Sequence, residues 1–250
     1  MRGNRVIAPL AVAILLLVLW LCVSYFELVS TFALPDPSDV FVRLIHGLND
    51  GYLLSSAWQT LHVAVIGSLI AALIGIPVGF GITHFAPFSA ALEPYLAASQ
   101  AIPAVAFAPL LVLWVGYGTT PIVILCILMV IFPIIINTAV GVRDVDTDII
   151  DAARLDGAHG IRLMKDIEFP LALPGILAGV RTGFTLSVTG AVVGEFVIGG
   201  QRGLGIELST AQHLTDAPGM FATITLLALL AVGIYLALRA VETRVLAIVS

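Results

Sequence analysis

The stretch that decides the fold runs from Pro94 to Val142 and reads PYLAASQAIPAVAFAPLLVLWVGYGTTPIVILCILMVIFPIIINTAVGV. None of its residues carries a formal charge. A helix crosses the bilayer hydrocarbon with about 20 apolar residues, so the stretch is too long for one crossing. It breaks at Gly116-Tyr117-Gly118-Thr119-Thr120-Pro121, a cluster of turn-forming residues. Two spans are predicted there, Ala97–Val115 and Pro121–Val140. Residues 51–92 and 217–238 are likewise free of Asp, Glu, Lys and Arg. Further spans are expected at Val6–Phe26, Leu61–Thr83, Gly175–Ile198 and Gly219–Leu238. The predicted fold is all-α and integral to a membrane, with about six transmembrane helices.

Composition agrees. Of 250 residues, 11 are Lys or Arg and 16 are Asp or Glu, a charged share of 11%, against roughly 25% in a soluble domain. Mean hydropathy is +1.10. An ordinary soluble enzyme is excluded, as is a disordered chain. The net charge of −5 excludes nucleic acid as a partner, because phosphate binding needs a basic patch. The first apolar run exceeds a signal-peptide core, no small-x-small site follows it, and Trp20-Leu21 before Cys22 is too bulky for a lipoprotein signal. It is therefore expected to remain as an anchor. With the N-terminus in the cytoplasm, nine basic residues lie inside: Arg2, Arg5, Arg143, Arg154, Arg162, Lys165, Arg181, Arg239 and Arg244. Only Arg43 and Arg202 lie outside. That bias orients the chain.

Motifs of covalent chemistry are missing. The sole lysine, Lys165, follows Met164, so no Gly-Lys-Ser/Thr phosphate loop exists. Cys22 and Cys126 fall within spans, and His46, His62, His84, His159 and His213 lack metal-ligand spacing. No G-x-S-x-G occurs. Neither an enzyme nor a metal site is expected.

One segment breaks the rule of avoided charge. Arg143–Glu168 holds eleven charges in 26 residues. It reads as helix-turn-helix: Thr147-Asp148 as cap, Asp151 in the first turn, Gly157 at the helix end, Gly160 opening a second helix over Ile161–Ile167, and Pro170 stopping it. Ala152-Ala153 with Gly157 let another surface approach closely. Inside the spans, polar residues mark a pathway or interhelical bonds: Gln100, Asn137, Thr182, Thr185, Ser187, Thr189 and Glu195. For Glu195, near the outer end of its span, bonding to the Gly199–Gly205 loop is the other reading. Gly183, Gly190 and Gly194 permit close helix packing, within the chain or across a dimer axis. Outside, Ser38–Leu48 carries an apolar stripe at Val40, Phe41, Leu44, Ile45 and Leu48, and the loop is expected to turn into a short helix at Ile206–His213.

The charged segment also carries a resemblance. Asp151-Ala152-Ala153-x3-Gly157-x9-Ile167-x-Phe169-Pro170 resembles the EAA loop of ABC importer permeases, with Asp for Glu and Phe for Leu. Leu34-Pro35-x-Pro37, Ala101-Ile102-Pro103, Phe132-Pro133, Asn137-Thr138, Glu195 and Arg202-Gly203-Leu204-Gly205 are similar to the nitrate/sulfonate/taurine/bicarbonate-type branch. That branch also includes permeases for thiamine-precursor pyrimidines and riboflavin. The resemblance implies a type I importer permease in a bacterial inner membrane. It implies a coupling helix at Asp151, Ala152, Ala153, Arg154, Asp156, Gly157, Ile167 and Pro170, within a loop over 143–173. It further implies cytoplasmic ATPase subunits that bind ATP and magnesium, an external substrate-binding protein and a second permease copy. No cofactor is expected in this chain. Residues 1–58 then form an anchor with an external amphipathic segment, and 59–245 the permease core. The alternative is an ion-coupled secondary transporter without an ATPase.

Overall fold

The computed structural model describes residues 4–249, without the side chains of residues 4–10, 13, 100, 246, 248 and 249. Among the described residues every regular element is helical: α1 (Asn4–Tyr25), α2 (Pro37–Asn49), α3 (Tyr52–His84), α4 (Ala86–Ala101), α5 (Ala108–Val115), α6 (Thr119–Arg143), α7 (Thr147–Leu155), α8 (Ile161–Leu163), α9 (Phe169–Ile198), α10 (Leu204–His213) and α11 (Ala217–Val249). Four stretches are long and apolar enough to cross a membrane: Tyr52–His84, Thr119–Arg143, Ile161–Ile198 and Ala217–Val245. The pair Ala86–Ser99 and Ala104–Val115 makes a fifth if counted as one span. α1, 22 residues long, occupies the place of the expected first span, and Arg2 and the Arg5 side chain lie outside the described residues.

α6 is the centre of the bundle, with α3 on one side and α9 on the other. Small residues bring these helices together. A Cβ on Gly67 would sit 2.5 Å from Cys126 Cβ, and one on Gly79 2.6 Å from that of Thr138. Across the other seam, Gly183, Gly190 and Gly194 face Val130, Met129 and Ile122. These three glycines therefore pack against α6 of the same chain, and a dimer axis is not where they act. Without a hydrophobic drive between helices in lipid, this close approach is what holds them. Leu125, Val130 and Ile134 of α6 are fully buried in the result.

The seams fix the direction of each helix. Gly141 meets Gly175 at one end and Gly194 meets Ile122 at the other, so α6 and α9 are antiparallel. One end of the bundle then carries α7 and the other α10. α2 lies on α11 through Val40, Leu44 and Leu48, while Phe41 and Ile45 of the expected stripe are exposed. Arg43 grips Asp216 at the start of α11, 2.8 Å away, and that hydrogen bond raises the Arg43 pKa. Asp216 also caps α11, its Oδ1 accepting from the Gly219 amide at 2.9 Å.

Three expectations need correction. The third span is not a single helix over Ala97–Val115. It is a pair of helices bent by 91°, because Pro103 holds Ile102 extended (φ −91°, ψ 118°) and Pro109 starts the second limb. The second span begins at Tyr52, nine residues before Leu61. Pro170 does not stop a helix: Ile161–Ile198 is continuous. The donor lost at Pro170 falls just after a π turn over Met164–Glu168, in which the Phe169 amide bonds the Met164 carbonyl.

Candidate functional site

The charged segment folds as α7, α8 and the π turn at one end of the bundle. Asp146, not Thr147-Asp148, is the cap of α7: its Oδ1 accepts from the Asp148 amide at 2.9 Å. Asp148 rather than Asp151 fills the first turn. At the far end Gly157 holds φ +93°. Its amide bonds Arg154 O at 3.1 Å and the Ala158 amide bonds Ala153 O at 2.9 Å, the paired bonds of a Schellman ending. A Cβ on Gly157 would meet nothing within 4 Å, so the residue is needed for its backbone alone.

α7 rests on α8 and the π turn, with Ile150 and Leu163 turned inward. Asp151, Ala152, Arg154, Asp156 and Gly157 are exposed, and Ala153 is half-buried. Arg154 bonds Asp151 at 2.9 Å, which sets both side chains on one face. Ile167 and Pro170 are half-buried and belong to the π turn and the first turn of α9, apart from the exposed residues of α7. Sequence reasoning missed Leu155. It is 90% exposed, between Arg154 and Asp156. Its signal was present: a leucine out of phase with the apolar side formed by Ile149, Ile150 and Ala153.

The opposite end holds a buried polar node. Glu195 is 1% exposed. Its Oε2 accepts from the Gly205 amide and from the Thr60 hydroxyl, both at 2.9 Å. The Leu204 amide donates to Thr60 Oγ1 at 2.9 Å, and Ser56 donates to Glu207 at 2.8 Å. These are the first amides of α10, unpaired in any isolated helix. The carboxylate therefore sits at the positive end of the α10 dipole and bonds the loop. Gly203 lies over it at φ +152°, where a Cβ would stand 2.2 Å from Glu195 Cδ. Beside the node a cavity of about 810 Å³ is lined by Gln59, Tyr117, Thr119, Glu195, Gln201 and Arg202.

The other candidates separate. Ser187 is fully buried and donates to the Ala64 carbonyl of α3 at 2.7 Å, a bond between helices. Thr182, Thr185 and Thr189 form an exposed stripe on α9. Asn137 bonds the Pro133 carbonyl at 2.8 Å and lines a groove of about 410 Å³ with Ser99, Met129 and Phe132. The side chain of Gln100, the remaining candidate, lies outside the described residues.

Residues 65–247 match the family described as "Binding-protein-dependent transport system inner membrane component". The chain belongs to that family. Three relatives place this inner membrane component among transport permeases. The riboflavin transport permease RibX of Chloroflexus aurantiacus is 40% identical over 88% of this chain and 82% of that protein. The formylaminopyrimidine transport permease ThiX of Halalkalibacterium halodurans is 30% identical over 98% and 97%. The taurine transport permease TauC of Escherichia coli is 29% identical over 97% and 90%. The fold is that of an inward-facing chain of the MetNI methionine ABC transporter, with TM-score 0.71, 20% identity, and 78% of this chain and 96% of that one covered. Membership in a binding-protein-dependent system sets aside the self-sufficient secondary transporter. The chain is a permease subunit of an ABC importer.

Proposed function

We propose that this permease passes a flat heteroaromatic vitamin, or a precursor of one, inward across the bacterial membrane, with α7 as the cytoplasmic docking helix for an ATPase. The observation that carries the docking role is α7 itself, a short helix capped at both ends whose Asp151, Ala152, Arg154 and Asp156 face solvent in the segment that resembles the coupling loop of such permeases. Leu155, 90% exposed beside them, adds apolar area to that face. Asp151, Arg154 and Asp156 supply polar contacts around it, Ala152 and Ala153 allow close approach, and Gly157 ends the helix so that it stays short and stiff. ATP and its magnesium belong to the partner. α10 and its loop face outward, toward the binding protein.

Lipid is a poor surroundings for an exposed polar stripe. Thr182 and Thr185 bond the Ala178 and Arg181 carbonyls of their own helix; we assign the stripe they form with Thr189 to contact with a second copy of the chain, with the pathway between the copies past the Asn137 groove. Residues 1–58 serve as anchor and residues 59–245 as the transporting core. The heteroaromatic substrate is favoured over a sulfonate because identity to the riboflavin permease, 40%, exceeds the 29% to the taurine permease.

The test is uptake into proteoliposomes holding the permease, its ATPase and its binding protein. ATP-dependent entry of labelled riboflavin or formylaminopyrimidine, and none of taurine, is expected. Uptake without the ATPase would overturn the docking role. Taurine uptake would overturn the substrate class.

A further inference from the structure

The segment that carries α7 is joined to the bundle by chain continuity at Arg143 of α6 and at Phe169 of α9. It is joined a third time, to a helix distant in sequence. His84, the last residue of α3, sets Nε2 2.7 Å from Oε2 of Glu168, the last residue of the π turn. Glu168 is only 7% exposed. The ring is itself aimed: Nδ1 lies 2.9 Å from the Phe80 carbonyl and 3.0 Å from the Thr83 hydroxyl. At 2.7 Å a proton must lie between Nε2 and the carboxylate, since two bare acceptors would repel. Phe80 stacks on His84 and on Phe169, with ring centroids 6.2 and 6.0 Å apart. Beneath them Phe80, Ala172 and Ile176 are buried together, with Val145 and Met164 packed against them. The residues flanking α7 thus hold the end of α3 from two sides.

The place of this contact matters. It falls on the π turn, where the helix ladder is widened to i→i+5 bonds, a feature frequent at functional sites. Apolar packing alone tolerates sliding. A directional bond to a buried carboxylate does not, because a shift of an ångström leaves a charge without its partner in a poorly solvated site. A displacement of α7 that moved the π turn would pull α3 with it.

We infer that the His84–Glu168 pair is the strut that carries motion of the docking helix into α3, with both residues in positioning roles. This rests on the proposal that an ATPase docks at α7. The strut is separate from that surface, since Glu168 is buried and His84 lies on another helix.

The experiment uses the complete importer in proteoliposomes and reads substrate moved per ATP hydrolysed. Glu168→Leu keeps the volume and removes the acceptor. It is expected to leave ATPase co-purification intact and to lower transport per ATP about tenfold, within the usual range of coupling between sites. The exchanged variant, His84→Glu with Glu168→His, is expected to return at least half of the lost yield. An unchanged yield in Glu168→Leu would overturn the inference. Should Glu168→Leu fail to fold, the exchanged variant decides: wild-type yield upholds the strut and an uncoupled, ATP-hydrolysing complex refutes it. Failure of the unaltered chain to retain the ATPase would sink the docking proposal and the strut together, and shows in the co-purification before any transport is measured.

Discussion

Gly203 and Gly157 hold positive φ at opposite ends of the bundle, +152° and +93°, in opposite surroundings. Over Gly203 there is no room at all, because Glu195 fills the space a Cβ would take. Around Gly157 there is nothing within 4 Å. The same contrast runs through the polar groups nearby. At the α10 end a carboxylate, a hydroxyl and two helix-terminal amides close on each other. At the α7 end Asp151, Arg154 and Asp156 face outward around an exposed leucine. Backbone polar groups within a membrane protein must find partners inside it, as the Leu204 and Gly205 amides do, although Glu195 Oε1 is buried without one; polar groups at an aqueous face have water. One end closes on itself and the other stands open, as the proposed docking role requires.

The sharpest break of this comparison is Gly203→Ala. It forces Glu195 and the loop apart and is expected to cost more than about 3 kcal/mol, seen as loss of monodisperse protein in detergent. Glu195→Ala leaves the Gly205 amide unpaired, while the Thr60 hydroxyl keeps the Ser56 carbonyl as acceptor, an expected loss of about 2 kcal/mol, and Glu195→Gln, which keeps an acceptor, about 1 kcal/mol. Thermal unfolding should rank them in that order, and equal midpoints would show that the node does not hold α10. Leu155→Asp at the other end should move stability by less than about 0.5 kcal/mol while weakening ATPase binding by about 2 kcal/mol, some thirtyfold in a pull-down. A Leu155→Asp chain that binds as before would end the contrast between the two ends. Gly157→Ala carries only the strain of a left-handed residue, about 1 kcal/mol, so its thermal midpoint should fall far less than that of Gly203→Ala. Ser187→Ala removes one bond between helices and is expected to cost about 0.6 kcal/mol by the same measurement.

Much of this was legible in the chain before any coordinates. Charge-free blocks located the spans because the hydrocarbon excludes charge whatever the tertiary arrangement. α7 and its glycine ending were readable because helix ends are local chemistry, although the cap proved to be Asp146 and not Thr147-Asp148. The small-residue seams were visible as glycines but not as partners, so Gly183, Gly190 and Gly194 left open whether they met their own chain or a copy. The bend at Pro103 was hidden in a stretch whose composition suits a straight span. The π turn was hidden by Pro170, which reads as a stop unless the widened ladder behind it is seen.

By itself the sequence determined the membrane class, the charged segment between the fourth and fifth expected spans, and the short capped helix within it, since each depends on periodicity, charge or near neighbours. Only the tertiary structure decided which polar residues meet. Glu195 lies 135 positions from Thr60 and Glu168 lies 84 from His84, separations at which no local pattern records a contact. Close packing of α3, α6 and α9 through small residues brings those groups within hydrogen-bond distance. The buried polar node at one end and the His84–Glu168 pair at the other arise there.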